Sequence, residues 1–318
     1  MIDVHAHLFF EDLLGTLGGF GPRFEHDENG VGTLTTGSYA YPVGKVPTLD
    51  RPVAGRLDQM DEAGIDIQVV SASPLWYFSH TSADLVAPFA HRYNDLLAEW
   101  ASHDQDRLKA LATLPVNDVS AAVKELDRAV NEKGMVGATI GTDARAELDD
   151  ADLDDLYAAC VDLDVPLFIH SIVPGVDGPP GDPRLRRWLR DVTLGYPFEE
   201  TIAVTSLLLG GVLDRHPDLD VCLSHGGGTT SFLWGRIRAW VETGAAPIGV
   251  ETFDRNYRKL WFDVHVHADR SAELLTQVAN NDRLVLGTNF GGWDSAAPAE
   301  ASGLDIDLES NARRLLRL

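Results

Sequence analysis

Four runs of β-forming residues in this chain each stop at a side chain able to hold a metal or carry a proton. The first is Ile2-Asp3-Val4-His5-Ala6-His7. The others are Val165-Pro166-Leu167-Phe168-Ile169-His170, Leu219-Asp220-Val221-Cys222-Leu223-Ser224-His225 and Leu284-Val285-Leu286-Gly287-Thr288-Asn289. Residues i and i+2 of a strand share a face, so His5 and His7 stand side by side. Imidazole is the commonest protein ligand for divalent transition metals. One His-x-His alone is weak evidence. Four strand ends that agree describe the C-terminal mouth of a parallel barrel, where active sites of that architecture sit.

The rest of the chain supports that reading. It predicts strands at Ile65–Ser71, Leu108–Leu114, Met135–Ile140 and Leu260–Val266, making eight with the four above. Predicted helices lie at Pro52–Ala63, Ala83–His103, Val119–Lys133, Leu153–Asp162, Leu185–Val192, Glu199–Asp214, Thr229–Glu242, Ser271–Ala279 and Leu308–Leu318. In the second of these, Leu85, Phe89, Tyr93, Leu96, Leu97 and Trp100 form the inner face. The expected fold is one α/β domain over residues 1–318, a (β/α)8 TIM barrel with a long insertion after strand 1. Residues 9–51 form that insertion. They are rich in Gly, poor in periodicity, and leave strand 1 at the metal end, so we expect a lid or pocket wall.

Composition narrows the function. Hydrophobic residues make up 44% of 318, enough for a sizeable core, and no apolar run approaches the roughly 20 residues of a membrane span. The formal net charge of −23 argues against nucleic acid and anionic membranes as partners. A small-molecule carboxylate would need a local basic pocket against that field. Met1 runs straight into a strand, and Cys160 and Cys222 read as buried reduced thiols. A cytoplasmic location is therefore expected, and a homodimer is compatible with everything in the chain. No dinucleotide fingerprint, P-loop or Gly-x-Ser-x-Gly is present, so a metal is the one cofactor implied.

The opening Asp3-Val4-His5-Ala6-His7-Leu8-Phe9-Phe10 resembles the amidohydrolase superfamily. Further blocks resemble, more narrowly, the aminocarboxymuconate-semialdehyde decarboxylase family. These are Arg56–Asp61 followed by Gly64–Gln68, Ser73-Pro74, Arg187-Trp188, and Ser224-His225-Gly226-Gly227-Gly228 through Gly235-Arg236-Ile237. The resemblance runs over nearly the whole chain in the same order. It implies His5, His7 and His170 as metal ligands, His225 as the histidine that deprotonates metal-bound water, and Arg236 as the holder of a substrate carboxylate. Three imidazoles leave a metal open positions, and Arg offers a bidentate fork. Zinc is the first choice for such a site, with manganese, iron and cobalt also suited to it. Trp76, in the aromatic segment Leu75–His80, and Trp188 are the candidates for stacking on substrate. The implied reaction is removal of CO2 from a small aromatic or conjugated acid. A hydrolase, a hydratase or a metal-free barrel is the alternative.

The departures from the family pattern are specific. Its last motif ends in an Asp that ligates metal and handles protons; here the position is Asn289. An amide oxygen can coordinate but cannot act as acid or base at neutral pH. Asp294 is one candidate to fold back in its place. Another is the second His-x-His, Asp263-Val264-His265-Val266-His267, which alternation would put on one face. The family's further arginines are also missing, with Gly44 and Lys45 near one place and Val241–Gly244 at the other, so a dicarboxylate is not the expected substrate.

Overall fold

A computed structural model of the chain describes residues 1–28, 31–44, 52–144, 146–292, 294–295 and 303–318, with backbone alone at 41–44. Lys45 and Arg51, and with them the end of the predicted insertion, lie outside the described residues. β1 (Ile2–Leu8) is buried along its whole length. An antiparallel sheet follows, of β2 (Arg23–His26), β3 (Gly32–Thr36) and β4 (Tyr39–Gly44). Then come α1 (Val53–Ala63), β5 (Ile67–Ala72), α2 (Ala83–Ala101), β6 (Leu108–Ala110), β7 (Ala112–Thr113), α3 (Val119–Asn131), β8 (Ala138–Gly141), α4 (Asp154–Asp162) and β9 (Leu167–His170). The last part holds α5 (Tyr196–Leu209), α6 (Val212–Arg215), β10 (Val221–Leu223), α7 (Thr230–Glu242), α8 (Val250–Tyr257), β11 (Trp261–Asp263), α9 (Asp269–Val278), β12 (Leu284–Val285) and α10 (Leu308–Leu316). No described helix is long and apolar enough to cross a membrane.

Parallel pairing runs β1–β5–β6 and β7–β8–β9–β10–β11–β12. Two joints close the ring. Leu111 N donates to Val70 O and Ala112 N to Gly137 O, so β6 and β7 are one strand that changes neighbour at Leu111. Beyond β12, Val4 N donates to Leu286 O at 2.9 Å and His7 N to Phe290 O at 2.7 Å, so the last strand meets the first. The result is the expected eight-stranded barrel. Its strands are short and almost wholly buried, as parallel strands covered by helices are, with apolar residues interrupted by the polar side chains of the site. At the N-terminal end of the strands, Ile2, Val4, Val69, Leu111, Phe168, Cys222, Trp261 and Val285 form a separate cluster with Ala312, Leu315 and Leu316 of α10. The terminal helix therefore seals the end away from the histidines.

Several expected boundaries shift for local reasons. The insertion is not plain loop: β2–β3–β4 form a sheet, and Ser38 N donates to Val176 O at 3.1 Å, docking it on the segment after β9. Gly37, at φ 56°, makes that approach feasible, since an added Cβ would lie 1.7 Å from Val176 O. Leu85 of α2 points outward at 43% exposed; the buried stripe is Val86, Phe89, Ala90, Tyr93, Leu97 and Trp100. The predicted helix 185–192 is instead a 3-10 turn at Pro183–Arg186 and a π-turn at Asp191–Gly195. The predicted helix 199–214 breaks where Gly211 turns left-handed at φ 74°. α8 was not anticipated, although Val250, Phe253 and Tyr257 have helical spacing.

Candidate metal centre and its cavity

β1 delivers His5 and His7 to one spot, and β9 delivers His170 beside them. Each ring is anchored through Nδ1. His5 Nδ1 lies 2.7 Å from Asp263 Oδ2, His7 Nδ1 3.0 Å from Ala72 O, and His170 Nδ1 2.6 Å from Ser171 O. These partners are acceptors, so Nδ1 carries the proton and Nε2 the lone pair, the arrangement that orients a metal-binding imidazole. His5 Nε2 and His7 Nε2 are 3.1 Å apart, and His170 Nε2 is buried without a hydrogen-bond partner. One nitrogen from each ring falls within 4.8 Å of the others. Lone pairs facing one another in a buried space repel; a cation among them removes the conflict. The donor set therefore fits a divalent metal. Burial, reinforced by the neighbouring imidazoles, holds His5, His7 and His170 well below the usual histidine range, in the neutral ligand form.

A buried carboxylate fixes the frame beneath. Asp3 Oδ1 accepts from His5 N at 3.1 Å and Thr288 N at 3.0 Å, while Oδ2 accepts from Gln68 Nε2 and Thr288 Oγ1, both at 2.7 Å. Burial pushes its carboxyl up to about 6, against the lowering effect of those bonds. Arg56, wholly buried, donates to Gln68 Oε1 at 2.7 Å and His7 O at 2.9 Å. The Arg56 and Gln68 blocks are thus framework, tying β1, β5 and the strand-8 segment together.

His225 follows β10 at φ 49° and turns its ring toward the triad, with centroids 5.2 Å from His5 and 4.9 Å from His170. Its Nδ1 lies 2.6 Å from Glu200 Oε1, which also accepts from Ser171 Oγ at 2.8 Å and Ser224 Oγ at 2.7 Å. Burial disfavours the imidazolium, but the Glu200 carboxylate outweighs it and raises His225 to about 9. Glu200 escaped the sequence reading. Its signal is a carboxylate on the apolar stripe of α5, in register with Ala203, Val204, Leu207 and Leu208.

The altered eighth strand places Asn289 at φ 49°, buried, with Nδ2 donating to Asp294 Oδ1 at 2.6 Å and Oδ1 without a partner. Asp294 has folded back: its Oδ2 lies 2.8 Å from His267 Nε2 and 3.4 Å from His265 Nε2. Burial opposes ionisation of Asp294, but these two histidines hold its carboxyl well below the usual range. The second His-x-His does not sit on a strand. β11 ends at Asp263; His265 is buried at 3% exposure, while His267, at φ 58°, leaves its side chain 47% exposed. Among the described residues, His225, His265 and Asp294 form a second group whose ligand atoms lie within 4.8 Å of one another.

A cavity of about 370 Å³ opens beside this group, lined by His225, His265, His267 and Asp294 and walled by Tyr196, Phe232 and Leu274 among others. The three expected substrate-binding residues are not among its lining. Arg236 lies on the exposed side of α7. Trp76 is 1% exposed and packs edge-on against Phe9, Phe89 and Tyr93, a core position. Trp188 is 68% exposed at φ 62°, with the Arg187 and Arg190 guanidinium groups over its ring.

Residues 2–318 match the family described as amidohydrolase. The 2-amino-3-carboxymuconate-6-semialdehyde decarboxylase of Dictyostelium discoideum is 30% identical over 241 residues, 74% of this chain and 65% of that protein, so the match spans just under two thirds of that relative's length. The gamma-resorcylate decarboxylase of Rhizobium radiobacter is 28% identical over 292 residues, 83% of this chain and 86% of that one. Among solved structures, the dihydroxybenzoic acid decarboxylase of Polaromonas sp. JS666, with bound manganese and the inhibitor 2-nitroresorcinol, superposes with a TM-score of 0.80 at 23% identity. That superposition covers 100% of this chain and 96% of that one.

Proposed function

The chain belongs to the amidohydrolase family, and on that footing we propose that it is a metal-dependent decarboxylase acting on a small aromatic or conjugated carboxylic acid. The observation that carries the reading is three imidazoles whose nitrogens converge within 4.8 Å, with His170 Nε2 unpartnered, beside a histidine charged by Glu200 at the edge of a partly apolar cavity. His5, His7 and His170 would hold the metal, which, when bound, draws electron density from a substrate oxygen. Zinc suits the imidazole set, and manganese is what the Polaromonas protein holds.

The chain's own residues do the rest. Tyr196, Phe232 and Leu274 offer a wall for a ring or conjugated chain. Among the described residues lining that cavity there is no lysine or arginine, so the His225 imidazolium is a positive group for the substrate to meet there. His225 passes its proton to the carbon that bears the carboxylate, and Glu200 keeps the proton-bearing ring oriented. The C–C bond then breaks, its electron pair returns to the conjugated system, and CO2 leaves. Asn289 cannot take part in proton transfer; we assign it to holding Asp294.

The test is CO2 release from a panel of aromatic and unsaturated acids by metal-replete protein, with a parallel panel of esters, lactones and vinylogous diketones. Turnover of the first panel supports the reading. Turnover confined to the second replaces it with a hydrolase.

A further inference from the structure

His265 is buried at 3% exposure, and neither of its ring nitrogens has a hydrogen-bond partner. Buried polar side chains are as a rule hydrogen-bonded, so one with both ring nitrogens unmatched calls for a partner. Asp294 Oδ2 stands 3.4 Å from Nε2 without the direction of a hydrogen bond. Across the cavity His225 is anchored through Nδ1 by Glu200, which leaves Nε2 facing inward. Asn289 holds Oδ1 of Asp294, which leaves Oδ2 between His267 Nε2 at 2.8 Å and His265 Nε2 at 3.4 Å. An aspartate at 289 would repel Asp294, so the amide in place of the family's carboxylate becomes intelligible as a bracket.

We propose that His225 Nε2, His265 and Asp294 form a second divalent-cation site, separate from the His5–His7–His170 centre and next to it. Two imidazoles and one carboxylate leave an open position and suit Zn²⁺ or Co²⁺. Their ligand atoms already lie within 4.8 Å of one another. The His225 ring is shared ground, 4.9 Å from His170 and 5.5 Å from His265 between centroids. The second ion takes the place of the proton that His225 Nε2 would transfer. Filling the site therefore silences the decarboxylation proposed above. The binding claim stands without that reading; the inhibition rests on it.

The experiment titrates chelator-stripped full-length protein with Zn²⁺ by calorimetry and elemental analysis, with no substrate present. Wild type takes up two equivalents. His265→Ala and Asp294→Ala, checked for folding by circular dichroism, take up one; His5→Ala also takes up one. A Co²⁺ titration of wild type needs no variant: tetrahedral absorption grows in two steps, the second past one equivalent. Saturation at one equivalent in wild type, or two equivalents persisting in folded His265→Ala, overturns the proposal. If counting gives two equivalents and no acid is turned over, the second site holds and the decarboxylase reading fails alone. If acids are turned over, excess Zn²⁺ inhibits wild type and spares His265→Ala; inhibition unchanged in that variant removes the coupling to His225.

Discussion

Glu200 Oε1 lies 2.6 Å from Nδ1 of His225, and the same oxygen accepts from Ser171 Oγ and Ser224 Oγ. One wholly buried carboxylate on α5 thus binds the residue after β9, the residue after β10 and the proposed proton carrier. Two serines and an imidazolium meet the charge at Oε1, while Oε2 is buried without a partner. The same bond fixes which nitrogen of His225 faces the cavity.

Glu200→Gln keeps an oxygen for both serines and removes the charge opposite His225. We expect kcat for CO2 release to fall about 10–100-fold with little change in KM, the usual scale for a residue that orients a functional histidine. In metal-free protein the His225 ring signals, followed by NMR, should titrate near 9 in wild type and lower in the variant. An unmoved titration would mean that the charge of Glu200 does not reach His225.

His225→Ala should lower kcat by about 10²–10⁴, the range for loss of a general acid or base. Uptake of the first metal equivalent should stay intact, because His225 is not among the atoms that converge with His5, His7 and His170. Elemental analysis and a kcat assay on the same preparation separate the two; loss of both together would make His225 part of the first centre.

The barrel and the three-histidine centre were legible because period-two alternation and apolar strands ending in ligand residues are local patterns. What escaped depends on departures from regular structure. His225, His267 and Asn289 all sit at positive φ, at 49°, 58° and 49°, so strand alternation cannot say where their side chains point. Asp294 folds back to Asn289, one of the expectations the sequence offered, whereas Glu200, which the sequence reading did not single out, meets His225 across 25 residues. Arg236 shows the converse: a motif copied residue by residue gives identity, while its exposed place on α7 is set by how the helix packs.

Asn289→Asp should move stability in two directions. In metal-free protein at pH 8, a carboxylate at 289 would face Asp294 where Nδ2 and Oδ1 now lie 2.6 Å apart. Two carboxylates that close cannot both ionise freely, and a loss of roughly 1–3 kcal/mol is expected. With Zn²⁺ present the added charge should slow metal loss during dialysis against a chelator. Thermal melts of both forms with and without metal measure each arm. Unchanged melting and unchanged retention would show residue 289 facing away from both Asp294 and the metal.

Away from the site, acid stability should depend on Asp95. Its Oδ1 lies 2.7 Å from Lys133 Nζ and 2.8 Å from Arg128 Nη1, linking α2 to α3 and the turn after it. Burial raises the carboxyl, but those two cations outweigh it and bring the value from 3.8 to about 2. A carboxyl lowered by folding stabilises fully above its unfolded value and loses that contribution as protons bind. The Asp95 contribution is therefore complete above pH 4 and vanishes as pH falls from about 4 to about 2. Asp95→Asn should lower Tm at pH 7 and flatten the decline of Tm across that window relative to wild type. Calorimetric melts at half-unit intervals from pH 2 to 5 test this. Parallel curves for the two proteins, offset by a constant, would show that the Asp95 bonds stabilise through packing alone.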